Sequence, residues 1–403
     1  MSNDTPMIDD LEKGPWPSFV TEIKNAAKTS TMAKDLLGQL EMSYRDKITH
    51  WKHGGVVGVK GYGAGVIGRY TDSPEEFPGV AHFHTVRINQ TSGLVYTTKD
   101  LGELMDIWDK RGSGMTNMHG STGDLVLLGT SSDELDPIFT DISQKGWDLG
   151  GSGSDLRTPS CCIGPARCEF AMIDTLAITR ECTNYWQDEL HRPAFPYKFK
   201  IKVSGCPNDC VASIARSDLS LIGTWRDDIR IDQAEMAAYE KDGRDIMREA
   251  VMLCPTRCMD WKDGKMEIDN SNCVRCMHCI NVFPKGLRPG TDTGMTVLLG
   301  AKAPIVEGAL LASVMIPFMK IDEPFDNLKE LVEAFWEIWD EHGKNKERIG
   351  EYVERMGKGE FIEAVAQVLE DNDSDVELVS QADLIVHPRE NPYIFYDEYL
   401  EEE

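Results

Sequence analysis

At 403 residues with a formal net charge of −26, the chain exceeds what one compact core normally holds and suggests two or three domains. So acidic a surface argues against nucleic acid and anionic membrane as partners, while an apolar content of 41% leaves material for a sizeable core. The charge is uneven: residues 321–403 hold 25 acids and 7 bases, whereas residues 150–220 hold eight of each, so the neutral centre can still receive an anion.

There are eleven cysteines, ten of them within six positions of another. Met1 to Val20 carries Asp4, Asp9, Asp10, Glu12 and three prolines without an apolar run, which is not how a secretory leader reads. Gly308 to Met319 is apolar between Glu307 and Lys320; its length suits a core helix and falls short of the ~20 residues needed to span a bilayer. A reducing cytoplasm with metal-bound thiolates is the expected setting.

Residues 1–53 read as a polar leader with one helix, Ser18 to Leu40. Gly54 to Tyr70 contains seven glycines, and Gly63-Ala-Gly65-Val-Ile-Gly68 has the spacing of a dinucleotide fingerprint. Thr71 to Pro78 follows where a helix should open, and no acid stands about 20 residues on. The segment is therefore read as strand and turn with close backbone approach. Ala81 to Gln90 alternates as a strand with Phe83, Thr85 and Arg87 on one face. His82 and His84 are candidate metal ligands, with hydrogen-bonded structural histidines the preferred reading. Asp100 to Lys110 is an expected helix. Met115 to Asp124, which contains Ser121 and Thr122, is an expected loop feeding a strand from Leu125 to Leu128. Gly150-Gly-Ser-Gly-Ser-Asp155 is a second such loop. Successive N–H groups in such loops can cradle anions; flexible turns are an equal alternative.

Cys162-Ile-Gly-Pro-Ala-Arg-Cys168 and Cys206-Pro-Asn-Asp-Cys210 form two short pairs, with Cys161 spare. Between them Tyr197 to Val203 reads as a strand that points Lys198, Lys200 and Lys202 one way and Phe199, Ile201 and Val203 the other. Four thiolates in two pairs suit an iron–sulfur cluster. A four-cysteine zinc site fits the second spacing but not the first, and four unrelated buried thiols are the third possibility. For the lysines, a soluble basic edge strand is the plain alternative.

Asp227 to Gly243 is acidic and linker-like, ahead of an expected helix from Arg244 to Leu253. Cys254-Pro255, Cys258 and the run Cys273-Val-Arg-Cys276-Met-His-Cys279 follow. C-x2-C-x2-C is a strong cluster signal, but the fourth cysteine usual after such a run is Phe283 here, before Pro284. A fourth ligand must come from elsewhere: Cys254, which precedes proline, is chosen and Cys258 is the alternative. Farther on, Asp326 to Trp339 places Leu328, Leu331, Val332, Phe335, Trp336 and Trp339 at helical spacing, a core or subunit-interface stripe. Glu360 to Leu369 is a further helix and Asp371 to Asp375 a linker. Asn391 to Glu403 is an arm on a neighbouring subunit or a frayed tail.

The C-x5-C and C-x3-C pairs together resemble the sirohaem–4Fe–4S half of sulfite and nitrite reductases. The surrounding text (Leu156-Arg-Thr-Pro, Cys168-Glu-Phe-Ala, Phe195-Pro-Tyr-Lys-Phe-Lys, Cys206-Pro-Asn-Asp-Cys) is similar to the alpha subunits of dissimilatory sulfite reductases. The similarity extends from Gly14-Pro-Trp-Pro-Ser-Phe to Asn391-Pro-Tyr-Ile-Phe-Tyr. The resemblance implies an α+β fold in which sirohaem–4Fe–4S domains are built from ferredoxin-like halves and a 4Fe–4S ferredoxin domain is inserted. It divides the chain into a leader and first half (1–150), the cofactor-binding half (151–225), the insert (226–290) and a completing, acidic helical region (291–403).

By position, Cys162, Cys168, Cys206 and Cys210 then hold one 4Fe–4S cluster, with Cys210 also the axial thiolate of the sirohaem iron. Arg87, Arg157, Lys198 and Lys200 match substrate-binding cations. Lys202, Ser121 and Thr122 are expected toward sirohaem carboxylates, and Cys254, Cys273, Cys276 and Cys279 hold the second cluster. The implied activity is cytoplasmic six-electron reduction of sulfite to sulfide-level sulfur, or its reverse. The implied assembly is alpha2–beta2 with a homologous beta subunit. A small sulfur-carrier protein with C-terminal cysteines and an electron donor linked to a membrane complex are the further partners. Two other readings stay open: an electron-transfer and structural subunit with an idle sirohaem site, and a nitrite reductase.

Overall fold

The computed structural model describes residues 5–13, 19–53, 65–89, 95–192, 194–303 and 308–378. The chain divides into two units: Met1–Ser160 with Thr179–Ile201 and Lys344–Arg348, and Cys161–Ile178 with Lys202–Gly343 and Ile349–Glu403. Strands and helices are mixed throughout, so the expected α+β class holds. Most of the glycine-rich segment from Gly54 and the C-terminal arm from Asn391 lie outside the described residues.

The first unit is built on a sheet of β1 (Trp51–His53), β2 (Val66–Thr71), β3 (Phe83–Asn89), β4 (Met115–Met118) and β5 (Asp124–Thr130), in the order β1-β2-β3-β5-β4. Every pairing in it is antiparallel. Alternation along β3 decides which residues are apolar core. Val86 and Ile88 enter one cluster with Leu104 and Trp108 of helix Thr98–Arg111 and Ile138 and Ile142 of helix Leu135–Gln144. Phe83 faces a second cluster with Leu36 and Leu37. Arg87 shares the parity of Phe83 and stays out of the first cluster.

Two sequence expectations change here and a third, the strand in the glycine-rich segment, holds. The helix expected over 18–40 is two, Phe19–Ala26 and Thr31–Asp46, because the Ser30 hydroxyl accepts from Ala33 N and starts a new helix. Met115–Met118 is a strand rather than a loop. It pairs with Leu125–Leu128 as a largely exposed edge, which lacks the apolar alternation that would reveal it. Val66–Thr71, in the weak dinucleotide fingerprint, is a strand antiparallel to β3, so no helix opens there.

A second sheet contains β6 (Leu156–Cys161), β7 (Phe199–Ser204), β8 (Leu219–Trp225), β13 (Thr293–Leu299) and β14 (Ser313–Met319), ordered β14-β13-β8-β7-β6. Since β7 lies between β8 and β6, the edge-strand explanation of its lysines falls. The apolar run to Met319 is strand β14, not a helix; a short apolar run carries no period to separate the two.

Within the second unit, residues 225–287 have their own core of Trp225, Met236, Ile246, Ile280, Phe283 and Leu287 among others. Two ribbons frame it: β9 (Arg230–Ile231) with β12 (Leu287–Arg288), and β10 (Met259–Lys262) with β11 (Lys265–Ile268). The segment expected as a linker therefore holds β9 and a helix, Gln233–Lys241, begun by Asp232 accepting from Ala234 N and Glu235 N. The helix expected next is a π-helix over Met247–Val251.

Helix Asp326–His342 buries its expected stripe inside this unit, with Phe335 stacked 5.9 Å from Phe361 of helix Lys358–Asp371. Helix Ile349–Met356, not foreseen, brings Tyr352 edge-on to Phe361. The stripe is thus core. Phe335→Ala should cost about 3–5 kcal/mol of stability, read as a shifted denaturation midpoint.

Candidate metal centres and anion site

The first cysteine set lies in the second unit. Cys162 follows the end of β6; its N–H donates to Val203 O at 3.0 Å, and its Sγ accepts from Gly205 N at 3.2 Å. Cys168 is fixed by its N–H to Gly164 O at 2.9 Å. Gly164 has φ +56, and a Cβ there would overlap the Thr175 hydroxyl that binds Cys162 O. Asp209 organises the turn between Cys206 and Cys210. Its carboxylate accepts from the hydroxyls of Ser204 (2.6 Å) and Ser213 (2.7 Å) and from the N–H groups of Ser213 and Ile214. Burial pushes its pKa up, but these donors outweigh it and hold the carboxyl below its usual range. The Cys206 thiol is raised by burial, and Cys168, Cys210 and Cys162 raise it further. All four sulfurs of the set therefore share one electrostatic neighbourhood.

The second set lines a small pocket of about 20 Å³ whose walls include Cys254, Cys258, Cys273, Cys276 and Cys279. Arg275 (φ 55) and Met277 (φ 67) take left-handed backbone on either side of Cys276, and Arg275 N donates to Cys273 Sγ at 3.4 Å. Burial, aided by Cys273 and Cys276, pushes the Cys279 thiol up to about 12. Cys254 and Cys258 differ although their sulfurs stand 3.6 Å apart. Burial raises Cys254, but donors from Cys258 and Thr256 outweigh it and lower its pKa; Cys258 is raised to about 12, mainly by burial. Asn208 and Asn281, beside the first and second sets, exchange amide hydrogen bonds at 3.1 and 2.6 Å.

The donor chemistry fits clusters. Each set offers four thiols, the donors a cubane takes one at each iron.

The cations gather in the first unit. Arg87 donates through Nη1 to Asp124 at 2.7 Å and to Thr122 Oγ1 at 3.4 Å, while its buried Nε has no acceptor among the described residues. Arg157, also buried, pairs with Asp155 two positions before it. Burial pulls the Arg157 pKa down and pushes Asp155 up to about 8; Arg157 opposes the Asp155 rise. We read the two as an ion pair. Lys200 Nζ donates to Ser121 Oγ at 2.6 Å. The Lys198 ammonium sits 4.8 Å from the Tyr197 ring centre, and its pKa is lowered by burial, with Arg348 and Arg157 adding to the decrease. His119 bonds Thr122 Oγ1 through Nδ1 at 2.8 Å; burial first, then Arg87, brings it down to about 4.

Lys202 belongs to the second unit and is buried, with a pKa lowered to about 8 by burial and by Arg216. Ser121 and Thr122 carry protein partners in Lys200 and in Asp124 and Arg87. His84 is a core histidine bonded to Ser132 at 2.9 Å, and His82 is exposed. Sequence reasoning missed Asp124, Asp155, Thr158 and His119. Asp155 had a readable signal: strand parity places it on the same side as Arg157. Asp124 had none, since its partners Arg87 and Thr158 are distant in sequence.

An unsatisfied buried guanidinium N–H calls for an acidic or anionic acceptor. The orphan Nε of Arg87, near buried Arg157, therefore fits an oxyanion or a macrocycle carboxylate.

Comparison with known proteins shows the family. The family model for the nitrite and sulphite reductase 4Fe-4S domain matches residues 152–372. The chain is 51% identical to the dissimilatory-type sulfite reductase subunit alpha of Nitratidesulfovibrio vulgaris (strain Hildenborough), over 98% of this chain and 94% of that one. It is 43% identical to the corresponding subunit of Allochromatium vinosum, with the same coverage. The crystal structure of dissimilatory sulfite reductase I superposes with a TM-score of 0.85 at 51% identity, covering 98% of this chain and 95% of the other. Among the described residues, no helix is long and apolar enough to cross a membrane.

Proposed function

The chain belongs to the nitrite and sulphite reductase 4Fe-4S family and, within it, to the dissimilatory sulfite reductase alpha subunits, and on that premise we propose that it carries out six-electron interconversion of sulfite and sulfide-level sulfur. The supporting observation is two four-thiol sets in one unit and, in the other, the buried Arg157 with the partly buried Arg87, Lys198 and Lys200. Its relatives are, by name, subunits. The proposed assembly is alpha2–beta2 in the cytoplasm, handing product to a small sulfur carrier with C-terminal cysteines and drawing electrons from a membrane-linked donor.

Cys162, Cys168, Cys206 and Cys210 would hold one 4Fe–4S cluster and Cys254, Cys273, Cys276 and Cys279 a second, and Cys210 would also be the thiolate ligand of a sirohaem. When bound, these groups would relay the donor's electrons and offer a metal to the substrate sulfur. Lys202, Ser121 and Thr122 are assigned to sirohaem carboxylates, directly or through their present partners.

The protein's own contribution is charge and protons. Sulfite sulfur must take up six electrons and lose three oxygens as water, which consumes protons. Arg87 and Arg157, each braced by a buried acid, hold the oxyanion in a fixed orientation. Lys198 and Lys200 offset its charge and hold protons for transfer. Burial makes the Lys198 ammonium a readier donor than one in water.

An optical spectrum of the anaerobically purified protein, with iron and acid-labile sulfide determined on the same sample, tests the assignment. A red isobacteriochlorin-type band with about eight non-haem irons per chain, as two cubanes require, is expected. Cluster absorption without a macrocycle band would leave an electron-transfer subunit. Steady-state kinetics with sulfite and nitrite decide the preferred anion.

A further inference from the structure

We propose that Asp124 is a positioning residue that aims Arg87 at the anion, so that removing this acid weakens anion binding even though it makes the site more positive. The inference rests on reading Arg87 as an anion-holding residue.

Asp124 is fully buried at the start of β5. One carboxylate oxygen takes Arg87 Nη1 at 2.7 Å and the Thr122 hydroxyl; the other takes the Thr158 hydroxyl at 2.5 Å. Three donors thus fill most of the acceptor capacity of one carboxylate. The surrounding backbone closes on the same point. Gly150 N donates to Arg87 O at 3.0 Å and Gly123 N to Thr158 O at 2.9 Å. A Cβ on Gly150 would overlap both Asp124 Oδ1 and Thr158 Oγ1. The carboxylate has one place to stand, and with Nη1 committed to it the Arg87 guanidinium has one orientation. That orientation leaves Nε buried without an acceptor among the described residues, a donor preset for something that arrives.

The two physical effects of Asp124 oppose each other in sign. As a negative charge beside Arg87 it repels an anion, so Coulomb's law alone predicts tighter sulfite binding in Asp124→Asn. As a clamp it fixes donor geometry, and an amide would present a donor where hydroxyls and a guanidinium now donate. Loss of a hydrogen bond between charged groups typically shifts an equilibrium by about 10–100-fold.

The experiment uses the assembled holoenzyme and reads the sulfite dissociation constant by optical titration of the oxidised cofactors, beside KM, kcat and cofactor content. Asp124→Asn should raise the dissociation constant and KM by about tenfold or more, with a smaller change in kcat and unchanged cofactors. Gly150→Ala, which displaces the carboxylate sterically without altering charge, should do the same and serves if Asp124→Asn fails to fold. Adding Asp124→Asn to Arg87→Ala should cost little more than Arg87→Ala alone. A lowered or unchanged dissociation constant in Asp124→Asn, beside an impaired Arg87→Ala, overturns the positioning role. Unchanged sulfite binding in Arg87→Ala overturns the anion-site reading beneath it.

Discussion

Replacing Lys198 and Lys200 together by alanine is expected to lower sulfite turnover by the intact assembly by about 10²–10³-fold or more, with cofactor content unchanged. Both lysines flank Phe199, a fully buried anchor, so the backbone presenting them should survive the change. Neither is a simple solvated surface charge. Lys200 is held by Ser121, and Lys198 sits over Tyr197 with a pKa lowered by burial. In the proposed reaction each ammonium would offer charge opposite the oxyanion and a proton where oxygen leaves as water, and both contributions would grow in a water-poor site. Turnover is the decisive measurement, with optical and iron assays confirming cofactor retention. Undiminished turnover would mean that the site lined by this chain is idle and that catalysis belongs to another subunit.

The second large effect is expected from Cys279→Ala. Non-haem iron should fall from about eight to about four per chain, while the macrocycle band remains. Turnover driven by a protein electron donor should be lost, and a small soluble reductant should still reduce the remaining centre. Cys279 is packed against the separate core of residues 225–287, so damage should stay within that part of the second unit. The same assay settles the fourth ligand. Cys258→Ala should keep about eight irons and Cys254→Ala should not; the opposite pattern would transfer the role to Cys258, 3.6 Å away.

The grouping of the cysteines was legible before any fold was known, because the members of each group stand close together in sequence on short loops. Cys273, Cys276 and Cys279 are brought together by their own local backbone, with positive φ at Arg275 and Met277. Cys206 and Cys210 are likewise held by one turn around Asp209. Long amphipathic patterns were equally clear: the stripe from Leu328 to Trp339 is buried as expected. Errors fell where the local signal is ambiguous. Gly308 to Met319 is apolar without a period, and Met115–Met118 is a strand without a buried face. The supposed linker after Asp227 is acidic on its surface yet carries Met236 into a core.

What the sequence by itself determined is the family, the cysteine sets and the identity of the cations, since these depend on residue type and short spacing. What only the tertiary structure decided is the condition of those cations. Arg87 meets Asp124 across 37 positions and Asp124 meets Thr158 across 34, contacts that no local pattern encodes. Burial then makes such pairings consequential: a charge costs little on a solvated strand, but out of water it must be matched by a partner. The same arginine that reads as an ordinary strand residue becomes, once folded, a donor held in one orientation by a buried acid.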